Sequence, residues 1–570
     1  MEHEISPQIA AEDRKKLNKY SDVVAQLLYN RGFFTNEAAE AFISVDYDKG
    51  INDPFELKDI NIAIERILRA ITEKEKICIY SDYDADGIPG AVILSDFFRK
   101  IKFENFFVYI PHRNKEGFGL NKNAIEKIAG QDAKLIITID CGISDVLPIA
   151  FAVEKNIDVI ITDHHDPNNH ESKALAVINP KQKDCNYKDK NLCGAGVIFK
   201  VVEALIKKNN FNINGVVISA GWEKWLLDMV GIATLSDMVP LVGENRIFAK
   251  YGLMVMRKSP RKGFVRLLKE CKLDQEKIVE DDVGFSIAPR INAASRMDEP
   301  ETAYRMLFTD SDVEADETVK HLHKINAERK SVVAVMVKEI KKDLGKKHDK
   351  SIVVKGSPDW SPSLLGLAAS SIVEAYKMPV FLWGRGCGEN LKGSCRSDGS
   401  VDLVKMMNEV GSGIIDQFGG HKMAGGFIVT DNGVFTLSDE LEKAYEKAKN
   451  DFEKQKIKVD AELNINDLTW NLFNDIQKLA PFGVQNEKPI FLFKDLTIEK
   501  IDNFGKDKNH LKISFKKNDG RLITAIKFFA EDHEHLSKIV PGQKINLIAN
   551  LEKSDFGRYP ELRLRIVNIQ

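Results

Sequence analysis

The chain has 570 residues, of which 43% are hydrophobic and 29% charged, and its 82 Lys and Arg against 85 Asp and Glu leave a formal net charge of −3. That length exceeds what one hydrophobic core serves and predicts three or four domains, while the balanced charge means that any nucleic-acid site must be a local basic groove. Seven cysteines, an odd number with no CxxC pair, point to free thiols in a reducing cytoplasm, and neither a signal peptide nor a membrane-length apolar run is seen, so a soluble protein is expected.

Residues 1–50 read as a polar, helical N-terminal segment. From about residue 55, strands and helices alternate: KICIYSDYDADG is a buried strand running into an acidic loop, GAVILSDFFRKI is helical, and FFVYIPHR, AKLIITIDCG and DVIITDHHD are further short apolar runs with polar C-terminal ends. This pattern predicts a parallel α/β sheet covered on both faces, whose ligands gather at the carboxyl edge of its strands. The catalytic domain is expected over 51–310 and one long connecting helix over 311–347. A second, smaller α/β domain follows over 348–455, punctuated by GRGCG, GSCRS and FGGHKMAGG. Five β-like runs separated by turn residues then predict an all-β OB-type barrel over 456–570.

Asp82, Asp84 and Asp86 place three carboxylates within five residues, a repulsion that cations would relieve, and Gly87 lets the backbone turn behind them. Alone, the triplet is equally a solvated loop or a helix cap. Two further clusters favour a metal site: Asp140 closes LIITID, and Asp163-His164-His165-Asp166 follows VIIT. Carboxylates joined by one or two imidazoles suit a pair of Mn²⁺ or Mg²⁺ ions. Cys141 reads as a small packed residue. Asp237 ends a fourth apolar run, MVGIATL, and Asp228 before that run reads as a structural cap or ion pair.

DYDADG, the Asp of TIDCG, TDHH and the Asp of TLSDMVPL, in this order, resemble the DHH phosphoesterase superfamily. APRINAASR (288–296), NAERK (326–330), FGGHKMAGG (418–426) and PFGVQNEKP (481–489) are similar to segments of its RecJ family, so the likeness runs over nearly the whole chain. The resemblance implies a DHH catalytic domain, a DHHA1 domain and an OB domain. It implies a single-stranded-DNA-specific exonuclease running 5′ to 3′ and releasing mononucleotides, at work in DNA repair and recombination. A RecQ-type helicase and a single-strand-binding protein are the implied partners, and a monomer is expected. Asp84, Asp86, Asp140, His164 and Asp237 would hold two divalent ions, with Asp140 bridging. Asp82 and His165 would lie in or just outside the ligand shell, and His165 would contact the scissile phosphate or protonate the leaving oxygen, with Asp163 as an orienter. Arg113, Ser394 and Arg396 are assigned to the terminal 5′-phosphate. Arg290 and His421 are assigned to phosphates near the cut, and Asn292, Gly419 and Gly420 to substrate binding. Ser81 and Ser363 stand where Gly is usual, and Ser371 where Arg is common.

In the barrel, Lys506, Lys508, Lys512, Lys516, Lys517, Arg521 and Lys527 interleave with Phe504, Phe515, Phe528 and Phe529. Cationic grooves with stacking rings bind single strands. Lys508, Lys512 and Lys527 are the groove candidates; alternation must bury about half of the rings, and which of them stacks stays open. The competing readings are a phosphodiesterase for short oligonucleotides or cyclic dinucleotides, a pyrophosphatase, and an inactive DNA-binding scaffold. The barrel argues against the first two, and the complete acidic set against the third.

Overall fold

The computed structural model describes residues 3–167, 171–210, 212–345, 350–385, 390–449, 456–505, 508–530, 539–555 and 559–570. Catalytic-domain strands β1 (Ile77–Ser81), β2 (Phe106–Tyr109), β3 (Leu135–Ile139), β4 (Asp158–Thr162) and β5 (Ala176–Ile178) are all parallel, in the order β2-β1-β3-β4-β5. Every residue of β1 and β3 is buried, as strands covered on both faces require. Helices α1 (Gly87–Lys100) and α2 (Gly194–Lys208) pack on one face through Ile88, Val92, Val197 and Val201, and Ile125, Ile128 and Ile149 cover the other. The chain leaves β1 for β2 on one side and crosses to β3 on the other, so the sheet's switch point lies between β1 and β3.

MVGIATL forms no strand: it lies in helix α3 (Leu227–Ser236), eight of whose ten residues are buried. A run apolar all round cannot reveal by periodicity whether it is helix or strand. Asp228 pairs with Arg261 at 2.7 Å and accepts from Ser259, the structural role expected of it. Beyond it, helix α4 (Ala288–Met297) leads to α5 (Asp312–Leu344), one continuous 33-residue helix capped by the Ser311 hydroxyl.

The second domain is built on helix α6 (Pro362–Tyr376) and strands β6 (Val353–Ser357), β7 (Val380–Gly384), β8 (Leu391–Arg396), β9 (Ile415–His421) and β10 (Ala424–Val429), in the order β9-β10-β8-β7-β6. Strands β11 (Phe491–Phe504), β12 (His510–Lys516), β13 (Leu522–Lys527), β14 (Lys544–Ser554) and β15 (Glu561–Ile569) make the C-terminal barrel. Register shifts at Phe493/Leu496 and Ile498/Lys500 bend β11 so that it pairs with both β12 and β14 and closes the sheet.

Nothing in the sequence showed where residues 3–43 go. Leu17, Leu27, Leu28 and Phe42 share a core with Leu479, Phe491 and Phe493 of the barrel region, and His3–Ile5 pairs in parallel with Ile457–Val459. Arg246 of the catalytic domain donates to Phe42 O, Leu479 O and Ala480 O and joins the three units. The six cysteines among the described residues are unpaired; Cys387 and Lys506 lie outside them. No helix among the described residues is long and apolar enough to cross a membrane.

Candidate metal centre and substrate cleft

The last paired residues of β1, β3 and β4 are Ser81, Ile139 and Thr162, so Asp82, Asp140 and Asp163 emerge level with one another. The hydrogen-bond ladder continues through them: Asp82 N donates to Ile139 O, Asp140 N to Thr162 O and Asp163 N to Ile178 O, at 2.9–3.1 Å. Backbone geometry alone therefore delivers three carboxylates to the switch point. The acidic loop then folds over them. Asp84 Oδ1 accepts from Asp86 N at 2.8 Å and Gly87 N at 3.2 Å, and a Cβ on Gly87 would lie 2.5 Å from Asp82 O.

Asp86 receives the N-terminus of α2, with Gly194 N and Ala195 N each 2.7 Å from its carboxylate. A Cβ on Gly194 would sit 2.5 Å from that of Asp140, so only glycine lets the helix end approach. The sequence reading missed this contact; the Gly-Ala-Gly opening of the helix was its one signal.

The ligand atoms of three groups converge within 4.8 Å: Asp140, His164 and His165; Asp86, His164 and Asp237; Asp82, Asp84 and Asp140. Asp140 and His164 each belong to two groups. His164 Nε2 lies 3.1 Å from Asp140 Oδ1 and 3.7 Å from both Asp86 Oδ2 and Asp237 Oδ2. Asp237, at the C-terminus of α3, reaches the site despite the changed element. Asp163 is occupied otherwise: its oxygens accept from His164 N, His165 N, Ile143 N and His165 Nδ1, the last at 2.8 Å.

Electrostatics show what this assembly is suited to bind. Burial, and then the neighbouring Asp84, push Asp86 up to about 7. Asp237 is pushed to about 8 by burial and by Asp86 and Asp84, and Asp82 and Asp140 rise well above the carboxylate range for the same reasons. Burial and the neighbouring His165 lower His164 to about 4, which keeps it neutral and able to coordinate. Burial opposes charge on His165, but the Asp163 hydrogen bond and charge overcome it and raise the ring to about 9. Asp82 Oδ1 and Asp140 Oδ1 are buried without a hydrogen-bond partner among the described residues. Unpaired buried oxygens, like-charge crowding and a neutral imidazole together fit a pair of hard divalent cations.

Around this centre the expected substrate residues divide. Arg113 lies over the Tyr83 ring, its Cζ 5.0 Å from the centroid. Ser394 and Arg396 are adjacent on β8, joined at 3.2 Å, and Gly366 of α6 leaves the room they fill. His421 is exposed at the end of β9; the Asp166 carboxyl is lowered chiefly by Lys181, with smaller contributions from His421 and His165. Gly420 has φ 137, and a Cβ there would meet Ala424 O at 2.5 Å; Gly419 has no such steric requirement.

Asn292 has a task not foreseen: its Oδ1 accepts from Ala85 N at 2.9 Å and holds the acidic loop. Arg290 lies two residues away on α4, on the opposite helical face. It is buried, donates to Ser286 O and contacts His323 of α5. Arg296 lies one turn beyond Asn292 on α4. Arg296 and Arg329 line a cavity of about 350 Å³ with Asn292, Leu367 and Phe482, beside Asp237. Both have a buried Nε with no partner among the described residues. Burial, with Arg113 and Arg329, pushes Arg296 down to about 9. Ser363 accepts Arg296 through its carbonyl at 2.6 Å, at the seam between the domains, whereas Ser371 is exposed and turned back on Leu367 O.

In the barrel, Phe515 is buried, while Phe528 and Phe529 are exposed and meet His510 edge to face at 4.9 and 5.1 Å. Arg565 lies over Phe528, 4.3 Å from its centroid. Lys508 is exposed and Lys512 half-buried. Burial lowers the Lys527 ammonium, opposed by Glu374 and reinforced by Lys377 of the second domain and by Arg565. Lys517 leaves the groove: it is buried and donates to Leu468 O, and Arg521 pairs with Asp519.

A parallel sheet carrying this donor set at its switch point, followed by a second α/β domain and an OB barrel, is the architecture of a metal-dependent phosphoesterase of the DHH class. Residues 76–233 match the DHH family N-terminal domain, 349–454 the DHHA1 domain and 459–568 the RecJ OB domain. The single-stranded-DNA-specific exonuclease RecJ of Bacillus subtilis is 32% identical over 95% of this chain and 67% of its own. That of Haemophilus influenzae is 31% identical over 84% of this chain and 85% of its own. The crystal structure of Thermus thermophilus RecJ in complex with Mn²⁺ superposes with a TM-score of 0.82 at 24% identity, covering 99% of this chain and 79% of that one. A manganese-bound exonuclease RecJ gives 0.58 at 30% identity over 69% of this chain and 95% of that one. The chain belongs to the RecJ family.

Proposed function

We propose that this protein is a metal-dependent exonuclease that hydrolyses single-stranded DNA from its 5′ end and releases 5′-mononucleotides. The observation that carries the reading is the shared position of Asp140 and His164 between donor groups, with Asp140 Oδ1 otherwise unsatisfied. Asp84, Asp86, Asp140, His164 and Asp237 would hold two ions, Mn²⁺ or Mg²⁺, with Asp82 in or just outside the ligand shell. When bound, such a pair activates the attacking water and neutralises charge on the leaving oxygen.

The chain's own groups do the rest. Asp163 fixes the proton on His165 Nδ1 and leaves Nε2 for the scissile phosphate or the leaving oxygen. Arg296 and Arg329 present guanidinium groups to the strand's phosphates in the cleft. Ser394, Arg396 and Arg113 receive the terminal 5′-phosphate, and His421 closes the cleft from the second domain. The exposed rings Phe528 and Phe529, with Lys508, Lys512 and Lys527, hold the strand farther out. A monomer acting in the cytoplasm in DNA repair and recombination, with a RecQ-type helicase supplying unwound strands and a single-strand-binding protein covering them, fits this division of labour.

The test is digestion of one single strand labelled at either end, with Mn²⁺, Mg²⁺ or EDTA, beside an Asp140→Asn protein. Metal-dependent release of the 5′ label as mononucleotide, absent in the variant, is expected. Loss of the 3′ label first, or cleavage of dinucleotides alone, would overturn the assignment.

A further inference from the structure

One side chain at the catalytic edge has no task in this scheme. Phe118 is 54% exposed, beside a centre whose carboxylates are mostly buried, and it joins none of the apolar cores among the described residues. Single exposed hydrophobic residues are common, but this one is held out by a braced loop. The Glu116 carboxylate accepts from Tyr109 Oη at 2.5 Å, His112 N at 2.8 Å and Lys127 Nζ at 3.1 Å. Tyr80 Oη donates to Gly119 O and Leu120 N to Asp145 Oδ2. Phe118 stands between Gly117 and Gly119, at φ 86 and 77, and a Cβ on Gly119 would lie 2.6 Å from Asp145 Oδ2. The backbone is thus built to present the ring.

The ring is presented to His165, edge to face, with centroids 5.6 Å apart and planes at 71°. His165 in turn stands over the centre, its Nδ1 3.9 Å from Asp140 Oδ1. A phosphate drawn to His165 and to cations held by the acidic cluster would therefore bring the attached nucleotide alongside Phe118. Arg113, five residues earlier on the same segment, flanks the centre at Tyr83. One loop thus carries a cation for phosphate and a flat apolar face.

We propose that Phe118 is a stacking platform for the unpaired base of a nucleotide flanking the scissile phosphate. Stacking tolerates any base, since each has a π face, and it requires the base to have left its partner. The platform would therefore make the active centre itself selective for single strands. This inference rests on the nuclease reading above.

The experiment compares wild type with Phe118→Ala, Phe118→Leu and Phe118→Trp. Each is given a 5′-labelled single strand and the same strand with abasic residues at its first two positions, in Mn²⁺. Wild type should prefer the intact strand on the order of tenfold in kcat/KM. That ratio should fall to about one in Ala and Leu and persist in Trp. Leu keeps apolar bulk against His165 without a flat face, so it separates stacking from positioning of the imidazole. The Mn²⁺-induced rise in melting temperature should be the same in all four. Equal losses on both strands, or an unchanged ratio in Phe118→Ala, would overturn the proposal. Should wild type cut neither strand, the nuclease reading fails on its own. A 5′-terminal 2-aminopurine strand then decides the platform by binding: quenching lost in Phe118→Ala supports it, and quenching retained refutes it.

Discussion

Replacing Asp140 by Asn should have opposite effects on the stability of the protein with and without metal. Asp140 has φ 61, a left-handed conformation that Asn adopts as readily as Asp and that would strain Ala, so the substitution changes charge with little change of shape. Asp140 belongs to two of the three donor groups, and in the proposed assignment it bridges both ions, so each position would lose a charged ligand. At a cation concentration about 100 times Kd, binding stabilises wild type by about 2.7 kcal/mol. In a domain of this size that raises the melting temperature by about 5–10 °C, and the variant should show almost none of it.

In EDTA the order reverses. Asp140 is buried and faces like charges from Asp86, Asp84, Asp82 and Asp237. Burial first, and then the charge of Asp84, push Asp86 from 3.8 to about 7, a penalty of about 4 kcal/mol if that group titrated alone, of which crowding is the smaller share. Removing one member of the set should relieve on the order of 1–2 kcal/mol. The assay is thermal unfolding at pH 8 in EDTA and then in saturating Mn²⁺. A variant that keeps the Mn²⁺ shift would refute the bridging position. A variant that melts below wild type in EDTA would refute the repulsion argument.

The metal-free wild type should lose stability as pH rises from 7 to 9. Asp86, Asp237 and His165, at about 7, 8 and 9, hold protons in the folded state that the unfolded chain has released. Their contribution is therefore lost as pH passes through those values, and saturating Mn²⁺ should flatten the profile; a flat profile in EDTA would contradict the assignment. Arg396→Ala should lower kcat/KM for 5′-phosphorylated strands by about 10–100-fold, the scale of a lost charge-assisted phosphate contact, and leave 5′-hydroxyl strands nearly unaffected. Equal effects on both would move the terminal-phosphate pocket elsewhere. Phe528→Ala should weaken binding of long strands by about 1–3 kcal/mol, read by fluorescence anisotropy, and spare hydrolysis of very short oligonucleotides; an equal loss on both would deny the barrel a separate role.

Much of the centre was legible in the chain because strand chemistry is local. An apolar run that ends in Asp reports its own carboxyl edge, and parallel register aligns such ends without help from side chains; Asp82, Asp140 and Asp163 were found in this way. Crowding and residue type marked Asp84, Asp86 and His164 as candidates, and the family resemblance assigned them as ligands. Asp237 was found although its run is a helix, because the motif placed it where periodicity could not.

What the sequence could not decide was direction and company. Arg290 was singled out for phosphate, and Arg296 of the same motif was passed over. Only the phase of α4 against α5 turns Arg290 into a buried tie and leaves Arg296 facing the cleft. Asn292 braces the acidic loop across 207 residues of sequence, a contact no local pattern encodes. That Lys517 is buried while Lys508 stays exposed was decided only by the closure of the barrel. Residue types and strand ends set the chemistry, because ligand identity and backbone register are written locally. Which face of a helix meets the substrate, and which distant segment holds a loop still, depends on packing between elements far apart in the chain, and that exists only in the folded protein.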